Sequence, residues 1–247
     1  MSAAGAAATL FARGPFQAGG VVVLEEEEAH HLRVRRVAGG AQVRLVDGRG
    51  GIATARVAEQ QGVLAARVVA TALVPAPPAT ELLLAAGDRE RFLFAVEKAA
   101  ELGATRIVPV VTERSQQVAT RFQQVHVEKA MRRAREALKQ SGGAWMPSVA
   151  SPSLLVDAVR QAPPRTVRLL AEADGGPMPA LREGDAVQWA VGPEGGFTET
   201  ESAVLRAAGF RSVVLGRSTL RFDTAAVAAL ALTAQARFAA HHQGSAS

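Results

Sequence analysis

The segment AVQWAVGPEGGFTETE, Ala186 to Glu201, decides the reading of the fold. It opens as an apolar run of strand length, passes through a Gly-rich loop, GPEGGF (Gly192–Phe197), and ends where a helix begins. Thr198 and Glu201 have the T-x-x-E spacing of a capping box, so the helix start is well defined. Gly192, Gly195 and Gly196 let the backbone turn sharply and come close to a ligand. A tight turn with no ligand reads equally well. The loop is not a Walker A motif, since no Gly-Lys-Ser/Thr follows, and it lacks the G-x-G-x-x-G dinucleotide pattern.

The same alternation extends through the second half of the chain. ELLLAAG, TRIVPVV, VRLLAEA and RSVVLG read as further strands. RERFLFAVEKAAEL reads as a helix, with Phe92, Val96 and Ala99 on one stripe and Gly103 as its stop. Further helices are expected over Phe122–Gln140, Thr198–Ala208 and Thr224–Ala240. Strands alternating with helices imply an α/β domain with a parallel sheet covered on both faces. Ligands in such sheets bind beyond the carboxyl ends of strands. Besides GPEGGF, two other strand ends are rich in Gly and polar residues: EADGGP (Glu172–Pro177) and GRSTLRFDT (Gly216–Thr224). Together the three loops make one pocket. In the last, Asp223 or Thr224 suits the cap of the following helix, and Arg221 is either a surface charge or a catalytic cation.

Upstream, VPAPPAT (Val74–Thr80) holds three prolines and reads as an extended linker. Before it the chain is β-rich, with strands at Val21–Leu24, Ala41–Gly48, Gly51–Glu59 and Leu64–Leu73. Asp47–Gly48 suits a hairpin turn, and a short helix is expected over Glu25 to Val37, its acids first and its bases last. These short strands suggest a small barrel. The expected division is 1–74, a linker at 75–80, and 81–247.

Bulk properties bound the chemistry. The 247 residues are 48 % hydrophobic, enough for real cores, and the formal net charge of +5 favours polyanionic partners. Lys129, Arg132, Arg133, Arg135 and Lys139 on one helix, and Arg33, Arg35 and Arg36 in the first half, are solvated faces or phosphate-facing stripes. The absence of cysteine excludes disulfides, thiolate metal sites, iron–sulfur clusters and a Cys nucleophile. The five histidines, His30, His31, His126, His241 and His242, lack partners at metal-ligand spacing, so no metal is expected. No signal peptide or membrane-length apolar run is seen, and the expected location is the cytoplasm.

Several motifs, in order, give the chain a family resemblance. HHLRVRRVAGGAQVRLVDGRGG (His30–Gly51), EKAAELGATRIVPVVTERS (Glu97–Ser115), EALKQSGG (Glu136–Gly143), VGPEGGFTETE (Val191–Glu201) and LGRSTLRFDTAA (Leu215–Ala226) resemble those of the ribosomal RNA small subunit methyltransferase E family, in the SPOUT class of knotted methyltransferases. The resemblance implies an N-terminal PUA-like β-barrel that binds RNA and a C-terminal SPOUT α/β domain with a deep trefoil knot. It implies methylation of uridine N3 in small-subunit (16S) ribosomal RNA, in an assembled subunit, by a homodimer joined through the knot region.

The implied cofactor is S-adenosylmethionine, held by Leu170, Glu172, Gly192, Gly195, Gly196, Leu215, Gly216 and Leu220. Arg221 would stabilise charge on the uracil, and Asp223 or Glu194 would accept the proton. Arg33, Arg35, Arg36, Lys98, Arg114 and Arg132 are the implied RNA contacts. The chain departs from the family pattern at Ser218, usually Arg, at Phe222, usually Thr, at Asp223, usually Glu, and at Gly143, usually Arg. The missing cysteine also argues against methylation at uracil C5, which commonly needs a Cys adduct. Alternatives are a SPOUT enzyme with another base or ribose target, a non-catalytic rRNA-binding factor, and a nucleotide-binding protein using GPEGGF for phosphates.

Overall fold

Alternating burial along a strand needs one covered face, and the strands of the first half provide it. In the computed structural model, which describes residues 6–115, 124–161 and 163–244, the chain forms two compact units. The first takes residues 1–76 with 135–146, and the second takes 77–134 with 147–247. In the first unit, β1 (Thr9–Phe11), β2 (Val21–Val23), β3 (Gln42–Val46), β4 (Gly51–Gln60) and β5 (Val63–Leu73) form one sheet in the order β1-β3-β4-β5-β2. β1 pairs parallel with β3, and every other pairing is antiparallel. Leu10, Val43, Leu45, Val57 and Val68 from this sheet bury against Leu24 and against Leu32 of α1 (Glu26–Val34). At the β3–β4 hairpin, Asp47 Oδ1 accepts from the backbone N–H groups of Arg49 and Gly51, at 2.7 and 2.8 Å.

The placement of residues 135–146 differs from the expected division. They are the last turns of α3 (Gln124–Ser141) and the segment after it. Lys139 Nζ is 2.8 Å from Glu28 and 2.7 Å from Glu136, and both Lys139 and Glu28 are buried. Burial opposes the charge on Lys139, but hydrogen bonds to Glu136 and Glu28 outweigh it and raise its pKa above the ordinary lysine value. The Arg135 guanidinium lies 4.2 Å from the Phe11 ring centroid. Leu138 and Met146 pack on Phe11 and Val46, and Trp145 Nε1 donates to the Val74 carbonyl at 3.0 Å. The helix read as a basic face therefore spends two of its cations inside the first unit. The stretch of that helix expected from Phe122 to Gln123 lies outside the described residues.

Strands buried at every position have no solvent face to offer. In the second unit all of β6 (Thr80–Ala85) and all of β11 (Val187–Val191) are buried. With β7 (Arg106–Val111), β8 (Ser148–Val149), β10 (Val167–Gly176) and β12 (Arg211–Val213) they form a parallel sheet in the order β12-β10-β11-β6-β7-β8. β9 (Ser153–Leu154) also pairs with β7. Thr80, read as linker, is the first residue of β6.

Pro109 lies inside β7, where a missing N–H ordinarily breaks a ladder. The Thr105 and Ile107 carbonyls accept from Ser148 and Ala150, so odd-numbered residues face the outer strands. Pro109 is next in that series and falls in the gap between β8 and β9, where no donor is needed.

Helices α2 (Arg89–Glu101), α4 (Leu155–Ala158), α5 (Glu199–Ala207) and α6 (Phe222–Gly244) complete this unit. α6 is latched to the sheet by one buried and several more exposed polar contacts. Trp189 Nε1 donates to Thr233 Oγ1 at 2.8 Å, and Arg237 donates to Thr80 Oγ1 and to the carbonyls of Ala79 and Asp185. Among the described residues no helix is long and apolar enough to cross a membrane. Replacing Thr233 by Val keeps the volume and strands the indole N–H. Stability is expected to fall by about 1–3 kcal/mol, read by denaturant unfolding, whereas Thr233→Ser retains most of it.

Candidate functional site

Parallel β10 and β12 do not run in register throughout. Ala171 and Gly176 both face Val213, so residues 172–175 bow out from the sheet. Glycine at 175 lets the bow close back against β12, where a Cβ would stand 2.5 Å from the Val213 backbone. It delivers Glu172 and Asp174 to the rim of a cavity of about 340 Å³. The other walls come from residues 191–197, at the end of β11 and in the loop after it, from residues 215–220, between β12 and α6, and from Phe222 and Ala225 at the start of α6. The three loops singled out in the sequence thus meet at the carboxyl ends of adjacent strands.

The cavity has an apolar wall (Val191, Phe197, Leu215, Leu220, Phe222, Ala225) and a polar rim (Asp174, Glu194, Ser218, Thr219). The capping box at α5 forms, with Thr198 Oγ1 accepting from the Glu201 N–H and Glu201 Oε2 accepting from the Thr198 N–H. Glu201 Oε1 also accepts from the Glu113 N–H at 2.8 Å, which ties the loop to the chain after β7. The Arg114 guanidinium donates to the Gly195 carbonyl, and Arg91 donates to Glu194 at 2.6 Å. Such a space, with an acidic rim, an apolar wall and bare backbone, suits a ligand carrying a cationic end and a flat apolar body.

Gly192, Gly195, Gly196, Leu215, Gly216, Leu220 and Glu172 all line the cavity. Leu170 does not, because it is wholly buried in the core, and Ala171 stands at the wall instead. Glu172 lines the wall, but its carboxylate is already engaged. It accepts from Arg206 at 3.1 Å through both oxygens, from Ser202 at 3.2 Å and from Ser212 at 2.5 Å. Those hydrogen bonds to Glu172, with its charge behind them, raise the Arg206 pKa above the ordinary arginine value. Asp174 is the exposed carboxylate of the same loop. Its place inside EADGGP was its only signal in the sequence.

α6 begins at Phe222, and the Arg221 carbonyl accepts the Ala225 N–H, so Arg221 rather than Asp223 or Thr224 stands at the cap position. Asp223 falls in the first turn, where the helix dipole favours an acid. Arg221 is exposed beside the cavity. Phe222 is buried and lines it, with Gly87 directly against its ring.

Of the other cations expected to meet RNA, Lys98 is paired with Glu97 and Glu101, and Arg33 with Glu26. Arg35, Arg36 and Arg132 are exposed. Among the described residues no group of three or more His, Asp or Glu is placed to hold a metal ion.

Comparison with known proteins places these features. Residues 75–234 match an RNA methyltransferase domain, and residues 24–61 match an RNA methyltransferase PUA domain. The ribosomal RNA small subunit methyltransferase E of Aquifex aeolicus is 30 % identical over 87 % of this chain and 94 % of its own. The protein of the same description from Mycobacterium bovis is 34 % identical over 86 % of this chain and 85 % of its own. Among solved structures, a ribosomal RNA small subunit methyltransferase E from Neisseria gonorrhoeae, bound to S-adenosyl methionine, matches with a TM-score of 0.82. It is 28 % identical and covers 92 % of this chain and 97 % of that one.

The Phe222–Gly87 contact makes its own test. A Cβ at position 87 would stand 2.8 Å from the ring. Gly87→Ala is expected to cost about 1–3 kcal/mol by overpacking, and the loss should shrink when Phe222→Thr is added, as a double-mutant cycle of unfolding will read.

Proposed function

The chain belongs to the ribosomal RNA small subunit methyltransferase E family, and on that premise we propose that it methylates N3 of a uridine in small-subunit (16S) ribosomal RNA with S-adenosylmethionine as donor. The observation that carries this reading is the cavity built from three strand-end loops, with Gly192–Phe197 at its centre. Its residues fit the cofactor. Val191, Leu215 and Leu220 offer an apolar wall to an adenine, Asp174 offers a carboxylate to ribose hydroxyls or a cationic end, and Gly192, Gly195 and Gly196 leave backbone groups accessible. Glu172 contributes by holding its loop to α5 and β12 rather than through a free carboxylate. When bound, the cofactor supplies an electrophilic methyl group.

The protein's own work is then to bind, align and deprotonate. Uracil N3–H is a weakly acidic imide, and the neutral nitrogen is a poor nucleophile. Arg221, exposed beside the cavity, is suited to stabilise negative charge that develops on the uracil carbonyls. Glu194 on the rim, or Asp223 in the first turn of α6, accepts the N3 proton. A base inside a duplex is out of reach, so the target is looped or flipped out.

We assign the first unit the role of a PUA-like RNA-binding barrel, with Arg33, Arg35 and Arg36 as contacts, and the second the role of the methyltransferase. Arg132, which is exposed, is its proposed RNA contact, and Lys98 and Arg114 join it only by exchanging the partners they hold in the free protein. A trefoil knot in the C-terminal segment, a homodimer through that region, an assembled subunit as substrate and a cytoplasmic location complete the proposal.

The test is incubation with methyl-labelled S-adenosylmethionine and unmodified small subunits, with free rRNA in parallel, then nucleoside mass spectrometry. Label is expected in 3-methyluridine. Arg221→Ala should lower kcat by about 10²-fold while cofactor affinity holds. Label in another nucleoside would reassign the target. Cofactor binding without any label on RNA would favour a non-catalytic role.

A further inference from the structure

Arg91 is absent from every motif that pointed to function, yet it touches the central loop of the site. It lies in the first turn of α2, and its Nη1 donates to Glu194 Oε1 at 2.6 Å. The Arg91 side chain is 31 % exposed and that of Glu194 is 64 % exposed, so the pair sits in solvent at the cavity rim. An ion pair so exposed contributes about 0–1 kcal/mol and is readily exchanged. Among the described residues one nitrogen of the guanidinium fork is used, whereas a phosphodiester offers two oxygens that match the fork.

Several other cations of this unit already hold partners, while Arg221, exposed beside the cavity, is assigned to the target base. Arg114 holds the Gly195 carbonyl, Arg89 pairs with Glu90, Lys98 with Glu97 and Glu101, and Arg206 with Glu172 and Glu199.

We propose that Arg91 is a phosphate-binding residue for the RNA substrate, masked in the free protein by Glu194, and that a backbone phosphate beside the target nucleotide displaces the Glu194 carboxylate from it. The inference rests on RNA being the substrate. The exchange couples two events, because the arriving phosphate releases a rim carboxylate when a base is delivered to the cavity. The first turn of α2 accommodates an anion at this place in either state.

Equilibrium binding of an unmodified rRNA fragment to the full chain, over a salt series, tests the exchange. Arg91→Ala is expected to weaken binding about tenfold and to reduce the slope of log K against log salt by about one, with cofactor affinity unchanged. Arg91→Lys, which keeps the charge but loses the fork, should keep the slope and give intermediate affinity. Glu194→Gln removes the competitor and is expected to tighten RNA binding several-fold. That gain should vanish in the Arg91→Ala background. An equal gain in both backgrounds would mean only a general loss of negative charge and would overturn the proposal. An unchanged slope in Arg91→Ala would do the same. Wild-type protein that binds and methylates the RNA, with these variants unaltered, would leave the function standing and remove this inference alone. Wild-type protein that binds neither the fragment nor unmodified small subunits would remove both.

Discussion

The site depends on one close approach of backbone to backbone. Gly175 lies so near Val213 that a side chain at that position would stand 2.5 Å from main-chain atoms. Two parallel strands brought this close cannot keep a regular register, and the surplus of β10 is expelled as the bow at residues 172–175. The expelled carboxylates then divide their labour. Glu172 turns back to Arg206, Ser202 and Ser212 and pins the bow to α5 and β12. Asp174 is left at the cavity rim. The partners on α5 and β12 thus make Glu172 the structural acid of the bow, and Asp174 is the one left exposed.

Much of this architecture was legible because its signals are local. β6 and β11 are largely apolar, with Leu82–Ala85 and Trp189–Val191 as unbroken runs, and that pattern announces a sheet covered on both faces. The capping box at Thr198 and Glu201 lies within one turn, so the start of α5 was read correctly. β1 was missed because three residues, Thr9–Phe11, are too few to show a period. The start of α6 was set too late because Asp223 has the chemistry of a cap without occupying the cap position.

Contacts between distant residues were invisible. Arg91 and Glu194 are 103 positions apart, and nothing in either neighbourhood announces the pair. Glu172 looked free for a ligand because its partners stand on elements 30 to 40 residues further on. The basic helix misled in the same way. Lys139 and Arg135 read as surface cations until Glu28 and Phe11 are brought beside them.

That helix carries a consequence for how the protein is made. The first unit is not finished when its own strands have been synthesised, because residues 135–146 supply Lys139 for the buried Glu28 carboxylate and Leu138 and Met146 for the Phe11 cluster. A ribosome emits the five strands of the first unit well before that segment leaves the exit tunnel. In the interval Glu28 lacks Lys139 and Phe11 lacks its apolar neighbour from α3. The two units therefore mature in an interleaved order, and the N-terminal one becomes fully native only after part of its successor has emerged.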